Sequence, residues 1–142
     1  MNVKKRILAI DYGTKYIGLA ITDDDNTFSV PYSVEENTNN FFDKLIEIIY
    51  EENIGIIVIG YPTTFDGYVS ARHKLINDFV DNINNKVSNL EIVLQDEAYT
   101  TKSSEYIQRE FGLKNSQIKK TKDMSSAALI LDAYLKMMST KK

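Results

Sequence analysis

The chain has no cysteine, so disulfides and thiolate chemistry are excluded, and the composition fits a cytoplasmic protein. No apolar run approaches the roughly 18 residues that a membrane-spanning helix needs. The basic start Met1-Asn2-Val3-Lys4-Lys5-Arg6 is followed by an apolar run that Asp11 breaks, which does not make a signal peptide. No membrane partner is therefore expected. An excess of positive charge is also missing: 17 Lys and Arg stand against 20 Asp and Glu, for a net charge of −3. That counts against broad coating of a polyanion. It does not count against acids that hold divalent ions, because a bound ion reverses the local sign. The single histidine, His73, falls on a helix away from the acids considered below and reads as a surface residue.

What is present is an ordinary globular composition. At 142 residues, 43% hydrophobic and 26% charged, the chain is expected to form one domain, residues 1–142, with a sizeable core. Residues 5–11 and 17–22 read as paired strands and 27–34 as a third, with Asp23-Asp24-Asp25-Asn26 as the turn between the last two. The polar run 35–40 reads as a connection. Phe42, Leu45, Ile46 and Ile49 recur at helical spacing and predict a helix over 39–52. Gly55-Ile56-Ile57-Val58-Ile59-Gly60 predicts a buried strand ended by Pro62, and Asp66-Gly67 a turn. A helix is expected near 69–87, a fifth strand at 92–94 and a further helix from Thr101 to Phe111. A last helix carries the stripe Met124, Ala127, Ala128, Leu131, Leu135 and Met138.

This order, a three-stranded antiparallel meander followed by alternating helices and strands, predicts an α/β fold with a mixed five-stranded sheet and helices on both faces. Right-handed crossovers put strands one, four and five side by side and parallel. Their C-terminal ends then share one edge, where ligands of such sheets bind. Those ends are Asp11, Gly60-Tyr61-Pro62 and Asp96-Glu97, so acids distant in sequence are expected to meet. Alone, each has a plainer reading. Asp11 followed by Gly13 suits a turn, Asp96 and Glu97 suit loop charge, and Asp123 suits a helix N-cap whose oxygen accepts a backbone N–H. Thr100 and Thr101 suit caps as well. Lys114, Lys119, Lys120 and Lys122 read either as a solvated loop or as a patch that tracks a phosphate backbone. Tyr16 and Tyr61 flank the expected cleft and could stack on bases.

Several pieces together resemble one family. They are Leu8-Ala9-Ile10-Asp11-Tyr12-Gly13-Thr14-Lys15 with Ile17-Gly18-Leu19-Ala20, then Ile59-Gly60-Tyr61-Pro62 and Asp66-Gly67. Gln95-Asp96-Glu97, Thr100-Thr101, and Asp123 with Ser126-Ala127-Ala128 complete the set. In this order and spacing they resemble the YqgF family, described as RuvX-type Holliday junction resolvases or pre-16S rRNA nucleases of the RNase H-like superfamily. The resemblance covers about residues 5–137. It implies that Asp11, Glu97 and Asp123 are catalytic, metal-binding acids for Mg²⁺ or Mn²⁺, which take hard oxygen ligands. The expected substrate contacts are Lys15, Tyr16, Tyr61, Arg72, Thr100, Thr101, Lys120 and Lys122. Two departures stand out. Tyr16 and Ala98 occupy places where the family usually has arginine, which binds phosphate bidentately. Lys15, Arg72 and the 114–122 segment are candidates to compensate.

The expected activity is metal-dependent endonucleolytic hydrolysis. The favoured substrate is the 5′-extended precursor of 16S rRNA, with the small-subunit ribosome precursor as a partner; the alternative is branched DNA at a four-way junction. A junction needs two coordinated cuts, and one small chain offers one cleft, so a monomer or weak homodimer is expected. Two other classes compete. A non-catalytic nucleic-acid or ribosome-assembly module would bind without regard to Asp11 or metal. An actin-like nucleotide-binding module would need a second such domain.

Overall fold

The computed structural model describes residues 5–62, 69–96 and 115–140, the last stretch with side chains from 126 to 139. In chain order the elements are β1 (Arg6–Asp11), β2 (Tyr16–Thr22), β3 (Ser29–Glu36), α1 (Phe41–Glu51), β4 (Ile54–Tyr61), α2 (Ala71–Lys86), β5 (Glu91–Asp96) and α3 (Asn115–Thr140). The five strands form one sheet in the order β3-β2-β1-β4-β5. β1 pairs antiparallel with β2 and parallel with β4, and β4 pairs parallel with β5. This is the mixed sheet that the element order predicts, with β1 at its centre.

Alternation along each strand divides the core in two. Leu8, Ile10, Ile17, Leu19, Ile57 and Ile59 point to one face and pack against Phe41, Leu45 and Ile48 of α1 and Ile76, Phe79 and Ile83 of α2. Ile7, Ala9, Ala20 and Val58 point to the other, against Ala127, Ile130, Leu131 and Tyr134 of α3. The small side chains Ala9, Ala20 and Ala127 let α3 approach the sheet closely. β1 and β4 are therefore buried on both sides, which explains their nearly unbroken apolar sequence.

Several boundaries differ from the sequence reading. β3 continues through Glu35 and Glu36, which pair with Ile17 and Tyr16 of β2, so the polar connection is shorter than its composition implies. α3 begins at Asn115, so Asp123 lies inside it and is not an N-cap. Residues 115–123 are rich in Lys and Gln, which favour helix without marking a buried face. Among its described side chains the buried ones are 127, 130, 131 and 134, while Met138 is exposed. The expected helix over 101–111, the Asp66-Gly67 turn and Lys114 lie outside the described residues.

Thr22 ties the open end of the sheet together. Its buried hydroxyl accepts the Ile7 N–H at 3.0 Å and donates to Asn26 Oδ1. Asn26 Nδ2 donates to the Lys5 carbonyl, and Arg6 Nε and Nη2 donate to the Thr22 carbonyl. Thr22→Val keeps the shape but leaves the Ile7 N–H unpaired, so it should cost about 1–3 kcal/mol in urea unfolding. In the same turn Asp23 Oδ1 accepts the N–H groups of Phe28 and Thr27. These bonds, Phe28's first, hold the Asp23 carboxyl below its ordinary value of 3.8. A lowered folded-state pKa gives stabilisation that is full above the ordinary aspartate value and lost as pH falls through the lowered one. Asp23→Asn should therefore lower stability at neutral pH and converge with the wild type at acid pH, which flattens the acid limb of a stability–pH curve.

Candidate active site

Asp11 is the last residue of the central strand, with its Cα opposite Gly18 of β2. Ile10 is level with Ile59 of β4, and Tyr61 with Asp96 of β5, so the C-terminal ends of the three parallel strands share one edge, as expected. The Asp11 side chain follows Ile7 and Ala9 in the alternation, which is the α3 side of the sheet. It is 15% exposed, and one carboxylate oxygen lies 3.7 Å from the Arg72 guanidinium. Arg72 itself is about half exposed. A helix on the other side of the sheet thus sends a cation over the edge to the acid.

Beside this pair, Tyr12, Gly13, Thr14, Lys15, Tyr16, Arg72 and Leu75 line a groove of about 330 Å³. Gly13 is required there, because a Cβ would collide with the Tyr16 carbonyl. Asn37 staples the turn from outside: its Nδ2 donates to the Gly13 carbonyl at 2.8 Å and its N–H to the Lys15 carbonyl at 2.9 Å. Lys15 Nζ sits 5.7 Å from the Tyr16 ring centroid. Tyr16 also borders a second groove of about 390 Å³, formed with Glu35, Glu36, Thr38, Asn40 and Lys44. This second groove is walled by acids, which disfavours phosphate, so the Lys15–Arg72 groove is the better candidate for an anionic substrate.

The start of α2 overturns one expectation. His73 is 3% exposed, not a surface residue. It completes a capping box with Ser70: the Ser70 side chain accepts the His73 N–H, and the ring Nδ1 accepts the Ser70 N–H at 3.0 Å. The ring Nε2 lies 2.9 Å from the Pro62 carbonyl. Burial is tolerated because both nitrogens have partners. The familiar template for such a box has Glu or Gln at its fourth position, so Ser70-x-x-His73 did not announce it. Asn37 and Ser70 likewise gave no signal beyond their type.

The other expected site residues divide by position. Tyr61, at the end of β4, packs edge-on against His73 with ring centroids 4.9 Å apart and accepts from Asn77 Nδ2 through its hydroxyl. It lies on the α2 side of the sheet, among the residues that follow Ile57 and Ile59. Glu97, Thr100 and Thr101 lie outside the described residues. Lys120, Lys122 and Asp123 fall within the α3 backbone, outside the side chains described. Among the described residues, no three acids or histidines converge as a metal cluster. No helix among them is long and apolar enough to cross a membrane.

A central parallel strand ending in an acid, an antiparallel meander on one side, two parallel strands on the other and helices over both faces define an RNase H-like α/β protein. Solved structures share this fold: the fowlpox virus resolvase in complex with Holliday junction DNA has a TM-score of 0.61 at 17% identity, covering 94% of this chain and 98% of that one. Thermus thermophilus RuvC, also in complex with a Holliday junction substrate, has a TM-score of 0.59 at 12% identity, covering 96% and 98%. Within this class the chain belongs to the RuvX family, described as Holliday junction resolvase, whose model matches residues 5–137. Relatives that bear the name "Putative pre-16S rRNA nuclease" include two from different bacteria. The one from Malacoplasma penetrans is 47% identical, covering 94% of this chain and 96% of the relative. The one from Maridesulfovibrio salexigens is 38% identical, covering 92% and 97%.

Proposed function

We propose that this chain is an endonuclease that hydrolyses phosphodiester bonds with a divalent ion, Mg²⁺ or Mn²⁺, held by Asp11, Glu97 and Asp123. The observation that carries the reading is the Asp11 carboxylate at the end of the central strand, 3.7 Å from Arg72 and beside the groove that Lys15 also lines. The donor chemistry fits: carboxylate oxygens are hard ligands suited to these ions. Two sequence relations support the other acids. Glu97 directly follows Asp96 at the same sheet edge, and Asp123 precedes buried Ala127 by one helical turn on α3, the helix on Asp11's side. Bound there, the ion would supply an activated water and stabilise charge on the leaving oxygen.

The chain's own side chains do the rest. From its place 3.7 Å from Asp11, Arg72 would present its fork to a phosphate held beside the ion. Lys15 adds a point charge across the groove. Tyr16 offers a ring on which a base can stack, with Tyr61, Thr100, Thr101, Lys120 and Lys122 as the further substrate contacts. The favoured substrate is the 5′-extended precursor of 16S rRNA, cut in the cytoplasm, in line with the names of the two relatives. A four-way DNA junction is the second reading, favoured by the family's description. It requires a pair of sites, hence a dimer.

The test offers both substrates to the purified chain with Mg²⁺ or Mn²⁺, and again with EDTA. Cleavage of the precursor that stops with EDTA is the expected result. Cleavage of the junction alone moves the assignment to DNA, and cleavage of neither overturns the nuclease reading.

A further inference from the structure

We propose that His73 is a positioning residue, which holds Arg72 at the Asp11 carboxylate by clamping the end of β4 to the start of α2. The inference rests on the nuclease reading for the role of Arg72, and on the geometry for the clamp. Nδ1 accepts the Ser70 N–H at 3.0 Å, so in the neutral ring the proton sits on Nε2. Nε2 then donates to the Pro62 carbonyl at 2.9 Å, an oxygen that can only accept. Both contacts demand the same tautomer, and the ring is buried at 3% exposure.

The two anchors lie on opposite sides of the segment between β4 and α2. Pro62 directly follows the last residue of β4, and Ser70 is the N-cap of α2. One side chain therefore crosslinks the strand end to the helix start and closes the base of the connection. Two further contacts brace it: the Tyr61 ring against His73 at 4.9 Å, and Asn77 Nδ2 donating to the Tyr61 hydroxyl at 3.2 Å. Arg72 is the residue next to His73, in the first turn of the helix so fixed. It is half exposed and long, and its 3.7 Å approach to Asp11 depends on where that turn sits. Loosening the turn would cost Arg72 its preorganised place and the substrate its phosphate contact.

A double-mutant cycle of His73→Ala and Arg72→Ala tests this, read as KM and kcat for metal-dependent cleavage. Arg72→Ala should raise KM about tenfold, as loss of a charge-assisted hydrogen bond does. His73→Ala should raise KM by nearly as much in the wild-type background and by nothing further in the Arg72→Ala background. His73→Gln, which carries both an acceptor and a donor, should recover most of the lost affinity. If His73→Ala melts below the assay temperature, His73→Leu, of similar bulk, takes its place in the cycle. Effects that multiply undiminished in the Arg72→Ala background, or a wild-type KM in folded His73→Ala, overturn the clamp and leave the nuclease reading standing. If the wild type cuts nothing, that reading falls, and the cycle is read instead on the Kd for the uncut RNA precursor; additivity there overturns the clamp too.

Discussion

Replacing Asp11 with asparagine is expected to abolish cleavage without unfolding the chain. The two side chains have the same shape, and the site is at a strand end, 15% exposed, not in the core. Its ion pair is with a half-exposed arginine, and such pairs contribute at most about 1 kcal/mol. Stability should therefore move little, as a thermal melt would show. Activity is another matter. Asparagine keeps an acceptor oxygen but loses the negative charge that makes a carboxylate a good ligand for a hard cation. Removing one electrostatic stabiliser from a preorganised site costs on the order of 10²–10³ in rate, and losing a metal ligand belongs in that range or beyond it. Cleavage that persists in a folded Asp11→Asn variant would sink the three-acid centre. Glu97→Gln and Asp123→Asn should behave alike, and either one found fully active leaves the set.

The sheet was legible because its central strands are extreme. β1 and β4 are buried on both faces, so their runs are almost purely apolar, and the handedness of crossovers then leaves little choice of order. Asp11 was legible for the same reason, as an acid that ends such a run. α3 was harder. Its hydrophobic period marks only the part that touches the sheet, so the polar start at Asn115 left no trace. Its stripe was also read slightly rotated: Ala128 and Leu135 are partly buried, while Ile130 and Tyr134 make the centre of the contact. Adjacent apolar residues on a helix all look eligible until the neighbouring sheet selects among them. His73 failed for a different reason. Its burial depends on a serine three residues earlier and a carbonyl eleven residues away, and a carbonyl has no sequence signature. The approach of Arg72 to Asp11 likewise depends on where a crossover ends, which spacing alone does not fix.

Ile10→Ala should be among the most destabilising single truncations in the chain. Ile10 is fully buried on the central strand, in the larger of the two cores, with Leu8, Ile17, Ile57 and Ile59 in the same cluster. Its neighbouring strands are held by ladders on both sides, so they cannot collapse freely into the space left behind. Truncations of this kind cost about 2–5 kcal/mol, the transfer of the lost carbons plus the cavity. Domains of this size are stable by about 5–15 kcal/mol, so a large share of the total would go. The urea midpoint should fall with little change in slope, and the melting temperature should drop on the order of 10 °C. Leu94→Ala is the matching control: its side chain is 44% exposed on β5, and it should shift stability by less than about 0.5 kcal/mol. The site is coupled to this core by one peptide unit, since Ile10 immediately precedes Asp11 and points to the opposite face. In folded Ile10→Ala the acid keeps its chemistry and loses the packed strand beneath it. A fall in kcat there, with metal affinity retained, would separate the placement of Asp11 from its charge, which Asp11→Asn alone cannot do.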